Sequence, residues 1–294
     1  MNVLDYMEHH GHEQFSVYSD PAVGLRAFIA VHDTTLGPSL GGVRVWPHST
    51  EEAAVMDVLR LSRAMTYKSA AAGLHFGGGK GLIIANSHRD KSEAMMRAFG
   101  RFVDSLGGRY ITTEDVGMTL LDLEWISQET QHVTGLPVSM GGSGDTSHMT
   151  GFGVHQGMKA CAKKVWGSDS LSGKVVAIQG FGHTAMALTQ HLLESEDEIK
   201  LIVTDINKEA LDRARAIPGV RVVGPDEIYD TESDILAPCA LGGVLNTKTI
   251  PRLRCKLVCG SANNQLQDIA DGDALQKRGI LYAPDYIVNA GGVI

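Results

Sequence analysis

Two lysines and an aspartate stand in settings that invite chemistry. Lys68 closes Met65-Thr66-Tyr67-Lys68, and Lys80 sits in Gly77-Gly78-Gly79-Lys80-Gly81, just before the apolar run Leu82-Ile83-Ile84. Small residues around an ammonium let backbone and substrate come close. A desolvated ammonium beside another cation gives up its proton more readily, which makes Lys80 a candidate general base at neutral pH. Asp115 follows Tyr110-Ile111-Thr112-Thr113-Glu114, just past a predicted strand end, where α/β folds build their sites. Its carboxylate could shuttle protons with a lysine or orient an amine. Taken alone, each of the three reads as a solvated surface charge, and spacing does not bring them together. A nucleotide phosphate loop around Lys80 fails at both ends, because that template needs glycine at 74 and Ser or Thr at 81, where this chain has Leu74 and Gly81.

A second chemistry is written at Val175-Val176-Ala177-Ile178-Gln179, which runs into Gly180-Phe181-Gly182-His183-Thr184-Ala185. This is a buried-strand run followed by the G-x-G-x-x-A form of the dinucleotide fingerprint. The first glycine allows a tight turn, the second lets backbone approach a pyrophosphate, and the small Ala185 lets helix and strand pack closely. Glycine turns after strands are common, so the turn alone is a weak signal. Asp205 strengthens it by closing the next strand, Leu201-Ile202-Val203-Thr204, 25 residues after Gly180. An acid there hydrogen-bonds ribose hydroxyls and repels a 2′-phosphate, which favours NAD over NADP as cofactor. Asn207 reads as a helix cap.

These residues need elements to hold them. Strands are predicted at Phe15 to Tyr18 and Leu25 to Val31, joined by a turn at Ser19-Asp20-Pro21. A helix opened by a capping box at Ser49-Thr50-Glu51-Glu52 runs toward Lys68. After the glycine cluster come a strand at Leu82 to Ile84, a helix from Ser92 to Leu106, a strand at Tyr110 to Thr112, and a helix opened by Thr119 with Asp122 three residues on. Helices are predicted from Thr150 to Val165, Thr184 to Leu193 and Lys208 to Ala216. Strands are predicted at Val175 to Gln179, Leu201 to Thr204, Asp234 to Ala237 and Leu257 to Gly260. The alternation gives an α/β fold with two domains and a cleft between them. Residues 1–140 form an α/β substrate-binding and oligomerisation domain, and residues 141–284 form a Rossmann-type doubly wound NAD-binding domain. Residues 285–294 return toward the first domain. The Gly- and Ser-rich stretch Ser139 to Ser147 is the natural linker.

Composition narrows the partners. With 294 residues, of which 43% are hydrophobic, the chain can bury two cores. A formal net charge of -8 with no basic block argues against nucleic acid. No apolar run approaches a bilayer span and the start lacks a signal-peptide pattern, so the expectation is a cytoplasmic protein without a membrane partner. The four cysteines form no C-x-x-C pair, and Cys255 and Cys259 read as buried thiols. His9, His10 and His12 lack a carboxylate or thiolate partner and read as solvent-exposed, so no metal is expected. Met95, Met96, Met158 and Met186 read as core filler.

Several segments together carry a resemblance. They are Gly37-Pro38-Ser39-Leu40-Gly41-Gly42-Val43-Arg44, Met65-Thr66-Tyr67-Lys68-Ser69-Ala70, Gly77-Gly78-Gly79-Lys80, Thr113-Glu114-Asp115-Val116-Gly117, Ala237-Pro238-Cys239-Ala240-Leu241-Gly242, Ala262-Asn263-Asn264-Gln265, and Pro284-Asp285-Tyr286-Ile287-Val288-Asn289-Ala290-Gly291-Gly292. In order along nearly the whole chain, they resemble the glutamate/leucine/phenylalanine/valine dehydrogenase family, and within it the leucine-acting branch. The resemblance implies reversible, NAD-dependent oxidative deamination of a branched-chain L-amino acid to the keto acid and ammonia by a homo-oligomer. It implies that Lys68 holds the substrate carboxylate, that Lys80 is the general base, and that Asp115 assists proton transfer to and from the amine. It places Gly41, Gly42 and Asn263 along the substrate and nicotinamide, and Thr150 on the carboxamide side of the cofactor. It also puts Leu40 and Val293 in an apolar side-chain pocket.

The chain departs from that family at four points. His183 stands where the family commonly has Asn, so ribose and phosphate contacts there differ. Thr146 stands where Pro commonly follows the position of Asp145, which loosens the hinge. Thr113 replaces a smaller apolar residue, and its hydroxyl favours a shorter or more polar side chain; a methylene in such a pocket discriminates by only about 1–3 kcal/mol. The family usually continues past Asn-Ala-Gly-Gly into a helical tail, whereas this sequence stops at Ile294, and the expectation is weaker closure and assembly. Two other readings stand beside the main one: a dehydrogenase for phenylalanine or tryptophan, and a catalytically silent NAD-binding regulatory protein.

Overall fold

The computed structural model describes residues 2–294, and its backbone falls into two units, the first ending at Asp145 and the second running Thr146–Ile294. The sequence divides the chain at 140/141 and sends residues 285–294 toward the first domain. In the structure, residues 141–145 belong to the first unit, and Gly291 and Gly292 pack against Met149, Thr146 and Thr150 of the second.

The first unit runs α1 (Val3–His10), β1 (Gln14–Asp20), β2 (Leu25–Asp33), β3 (Ser39–Val45), α2 (Glu51–Ala71), β4 (Gly77–Ile83), α3 (Glu93–Asp104), β5 (Tyr110–Glu114) and α4 (Leu120–Ser127). Its sheet has the order β1-β2-β4-β3-β5. The β1–β2 and β2–β4 pairs are antiparallel, while β4–β3 and β3–β5 are parallel. Both faces are covered. Phe28, Ala30 and Leu82 meet Val55, Val58 and Leu59 of α2, and Val43, Val45 and Tyr110 meet Phe99, Phe102 and Ile126 of α3 and α4.

Several local expectations shift here. The cap of α2 is Thr50, which accepts from Ala53 N, one residue after the predicted Ser49. The helix predicted to open at Thr119 does so, and Thr119 and Asp122 form a capping box with both of its bonds. The glycine cluster around Lys80 is no loop but the body of β4, buried throughout, and β3 beside it was not predicted as a strand. Burial on both faces of a mixed sheet outweighs the poor strand preference of glycine. His12 is buried rather than exposed and hydrogen-bonds Leu59 O through Nε2 at 2.9 Å.

The second unit runs α5 (Ser147–Trp166), β6 (Val175–Gln179), α6 (His183–Ser195), β7 (Lys200–Thr204), α7 (Lys208–Arg215), β8 (Val220–Val222), β9 (Ile235–Pro238), β10 (Leu257–Val258), α8 (Ala270–Lys277), β11 (Leu281–Tyr282) and α9 (Asp285–Val288). All six strands are parallel, in the order β11-β10-β9-β6-β7-β8. This is the doubly wound dinucleotide-binding order, with its topological switch between β6 and β9. The core is the near-continuous apolar runs of β6, β7 and β9 against α5 and α6. Cys255 and Cys259 are buried; of the four methionines read as core, Met186 is instead exposed. Among the described residues, no helix is long and apolar enough to cross a membrane, and no group of three His, Cys, Asp or Glu residues is placed to hold a metal ion.

Candidate active site

Strand register decides which side chains of the first unit can meet, because alternate residues point to opposite faces. Leu40, Gly42 and Arg44 of β3 share one face. Pairing of Leu40 with Gly78 and of Arg44 with Leu82 sets Lys80 of β4 on that face beside Gly42. Pairing of Leu40 with Ile111 and of Gly42 with Thr113 sets Asp115, just past β5, in the same line. This is the face that α2 covers, and Lys68 lies in the last turn of α2.

The glycines are what let the layers close. A methyl at Gly78 would sit 2.2 Å from Thr66 N of α2, and one at Gly42 would sit 2.4 Å from Glu114 O and 2.8 Å from Asp115 Cβ. Gly41 lies so close to β4 that a methyl there would be 1.8 Å from Gly79 O, and Tyr110 donates its hydroxyl to Gly41 O at 2.6 Å. The absent side chains thus bring α2 and the end of β5 down around Lys80.

The charges form a chain. Lys80 Nζ lies 3.1 Å from Asp115 Oδ2, which also accepts from Arg44 Nε at 3.0 Å. Arg44 reaches on to Asp57 Oδ2 at 3.0 Å, and His48 Nε2 lies 3.2 Å from that same oxygen. Lys80, Lys68 and Arg44 are all buried. Burial pushes the Lys80 ammonium below the ordinary lysine range and Arg44 adds to this, while Asp115 opposes it. Burial raises Asp115, but Lys80 and Arg44 together outweigh it and hold the carboxyl well below the usual range. The result is an ionised carboxylate beside a lysine primed to lose its proton.

Arg44 and its relay to Asp57 and His48 were not singled out from the sequence as site residues. The available signal was an arginine inside Val43-Arg44-Val45, since a charge within a buried strand needs a partner. Glu114, on the opposite face from Asp115, was also missed. Burial and the neighbouring Asp145, Asp115 and Asp122 push its carboxyl up to about 7. Leu40, Gly41 and Gly42 are buried and Thr113 is half-buried, with its Oγ1 where a methyl on Gly135 would be only 2.6 Å away.

In the second unit the fingerprint turn follows β6 at the switch point. Gly180 has φ +94°, its N–H donates to Thr204 O at 2.8 Å, and a methyl there would sit 2.6 Å from Ala240 Cβ after β9. Phe181 is buried in the core, Gly182 caps α6 with open space beside it, and His183 and Thr184 form the first turn of α6. Ala185 is buried. Asp205 Oδ2 accepts from Phe181 N at 2.6 Å, and Oδ1 accepts from Asn207 N at 2.8 Å. The acid therefore ties the end of β7 to the turn. Open space at Gly182, a helix N-terminus and this carboxylate fit a nicotinamide dinucleotide.

Thr150 donates to Thr146 O in the first turns of α5, where a methyl at Gly292 would lie 2.5 Å from its Oγ1. Asn263 follows β10 and accepts through Oδ1 from Asn289 Nδ2 at 2.8 Å, while Val293 is half-buried near the end of the sequence. The structure thus brings Lys80, Asp115, Gly41, Gly42, Leu40 and Thr113 together in one unit. It places the fingerprint, Asp205, Thr150, Asn263 and Val293 in the other.

Comparison with known proteins agrees along the whole chain. Residues 12–132 match the family model described as Glu/Leu/Phe/Val dehydrogenase, dimerisation domain, and residues 141–208 and 200–294 match the model Glutamate/Leucine/Phenylalanine/Valine dehydrogenase. The chain is 55% identical over 294 residues to a leucine dehydrogenase of Thermoactinomyces intermedius, covering 100% of this chain and 80% of that protein. It is 50% identical over 288 residues to a phenylalanine dehydrogenase of Lysinibacillus sphaericus, covering 96% of this chain and 75% of that one. Among solved structures, L-tryptophan dehydrogenase from Nostoc punctiforme superposes with a TM-score of 0.72 at 44% identity, covering 99% of this chain and 83% of that one. With those matches along its length, the chain belongs to the glutamate/leucine/phenylalanine/valine dehydrogenase family.

Proposed function

We propose that this chain catalyses the reversible, NAD-dependent oxidative deamination of a branched-chain L-amino acid, leucine first and valine and isoleucine after it, to the 2-keto acid and ammonia. The observation that carries this reading is the contact between Lys80 Nζ and Asp115 Oδ2 at 3.1 Å, buried beside Arg44. Identity of 55% to a leucine dehydrogenase supports the choice of leucine over an aromatic substrate.

Lys68 binds the substrate carboxylate through its ammonium, and Leu40 and Thr113 meet the substrate's side chain, while Gly41 and Gly42 let the strands close around it. Lys80, in its neutral form, takes a proton from the substrate ammonium so that the nitrogen lone pair is free to form the C=N bond. Bound NAD supplies the acceptor for the hydride leaving the α-carbon. Having released that first proton to solvent, Lys80 takes the proton of the water that adds to the imine carbon; Asp115 shares it and passes it to the nitrogen, and Lys80 takes the remaining hydroxyl proton as the C–N bond breaks and ammonia leaves. Gly180, Phe181 and Ala185 shape the turn, and Gly182, His183 and Thr184 meet the pyrophosphate with backbone N–H groups at the helix N-terminus. Asp205 accepts from the adenosine ribose and selects NAD over NADP, and Thr150 and Asn263 orient the nicotinamide end. The first unit assembles the chain into a homo-oligomer.

The test is NADH formation with leucine, valine, isoleucine, phenylalanine, tryptophan and glutamate, repeated with NADP. Activity led by leucine and confined to NAD is expected. A lead by phenylalanine or tryptophan, or no turnover of any amino acid while NAD still binds, would contradict the proposal.

A further inference from the structure

An arginine that meets a single carboxylate commonly takes both of its oxygens with its planar fork. Arg44 divides its guanidinium instead. Its Nε donates to Asp115 Oδ2 at 3.0 Å, while its Nη1 donates to Asp57 Oδ2 at 3.0 Å. Lys80 Nζ meets Asp115 at that same Oδ2, 3.1 Å away. Both cations therefore fall on one oxygen of Asp115, and among the described residues no hydrogen bond or ion pair falls on the other, Oδ1. The Asp115 side chain still keeps 14% of its surface exposed.

Asp57 is placed to cause this division. It stands in α2, which covers the face of the sheet shared by Arg44, Lys80 and Asp115, whereas Asp115 lies just past the end of β5. The two carboxylates thus draw the guanidinium toward different elements. Asp57 is itself held, because His48, just before α2, places its Nε2 3.2 Å from the oxygen that Arg44 meets. Burial raises the Asp57 carboxyl, but His48 and Arg44 outweigh it and keep it below the usual carboxylate range. Neutralising a buried arginine requires only a negative charge nearby. Dividing its contacts requires an acceptor oxygen at one particular place.

We propose that Asp57 is a positioning residue that acts through Arg44: by taking Nη1 it holds the guanidinium to one contact with Asp115 and keeps Asp115 Oδ1 open as the oxygen that passes a proton to the substrate nitrogen. This rests on the reading above of Lys80 and Asp115 as the proton-transfer pair. Without Asp57, the guanidinium turns its fork onto both oxygens of Asp115 and covers the one that relays the proton.

The experiment measures kcat, the KM of amino acid and of NAD, and Tm in the full chain for wild type, Asp57→Asn, Asp57→Ala, Asp57→Glu, Arg44→Met, Arg44→Met with Asp57→Ala, and Asp115→Asn. Asparagine keeps an acceptor oxygen at the same reach and loses the charge, whereas alanine loses both. Asp57→Ala lowers kcat about ten-fold, part of a general acid–base contribution, with both KM values within about two-fold of wild type. Asp57→Asn recovers most of that loss, and Asp57→Ala costs nothing further once Arg44 is methionine. Asp57→Glu keeps the charge and shifts the oxygen by one methylene; it loses kcat as alanine does, and decides the matter should the alanine variant fold poorly. Equal losses in the asparagine and alanine variants, wild-type kcat in the alanine or glutamate variant, or a loss that multiplies in the Arg44→Met background overturns the proposal while leaving the proton-transfer pair intact. Wild-type kcat in Asp115→Asn overturns that pair, and the proposal with it.

Discussion

In the first unit the candidate chemistry is carried by side chains drawn from three strands and a helix, whereas in the second it is carried largely by backbone at one strand-to-helix turn. The first buries Lys80, Asp115 and Arg44 together and tolerates the desolvation because each charge faces an opposite one at 3.0–3.1 Å. The second buries no such cluster at its turn. Gly180 takes φ +94° and Gly182 opens space at the cap of α6, which leaves a helix end open to an anion. Reaction chemistry needs groups whose protonation can change, and phosphate binding needs donors whose protonation cannot. The two units divide these needs.

The largest break in that comparison is Lys80→Ala. It removes the proton acceptor, and turnover falls roughly 10³-fold while NAD binding, measured by fluorescence titration, stays within two-fold, by the usual size of general acid–base effects. Retained turnover would return the chemistry to some other group.

Next come the two glycines of the turn. Gly180→Ala forces a side chain into positive φ and onto Ala240, and unfolding measurements show a loss of about 1–3 kcal/mol. Gly182→Ala meets open space in the protein itself, so Tm holds while the KM of NAD rises about ten-fold, the loss of one good contact. A Tm loss of equal size in both would mean that Gly182 is structural too. Asp205→Ser is comparable in size. It removes the carboxylate and one tie to Phe181 N, and lowers the ratio of NAD to NADP efficiency by roughly ten-fold.

The remaining effect is on stability at acid pH. Burial holds His12 neutral and lowers its folded pKa from 6.5 to about 4. The stabilisation from the neutral form is complete above pH 6.5 and is lost as pH falls toward 4, because the unfolded chain binds the proton first. Unfolding free energies from denaturant titration should fall across that window by on the order of 2 kcal/mol more in wild type than in His12→Gln.

The comparison also explains what could be read from sequence. The second unit's turn is contiguous, and Asp205 lies one βαβ unit away, so local pattern was enough to place both. Thr119 and Asp122 were readable for the same reason, since both bonds of their capping box lie within one turn. In the first unit, Arg44 and Asp115 are 71 residues apart, and only the parallel register of β3 with β4 and β5 brings them to one face. Local preference could not announce β3, whose Ser-Leu-Gly-Gly-Val-Arg-Val has two glycines and a charge and becomes a strand because it lies at the centre of the parallel ladder. His12 was misread because its burial depends on α2, which meets it 47 residues later in the chain.

Burial beside Arg44 and Asp115 sets the proton affinity of Lys80. The pH dependence of kcat/KM, measured for wild type and Arg44→Met, tests it most directly. Arg44 lowers the Lys80 pKa, so its loss raises that pKa, and the acid limb of the profile moves to higher pH by about one unit. An acid limb that stays where it is in Arg44→Met, or a wild-type limb already at the ordinary lysine value, would contradict the account.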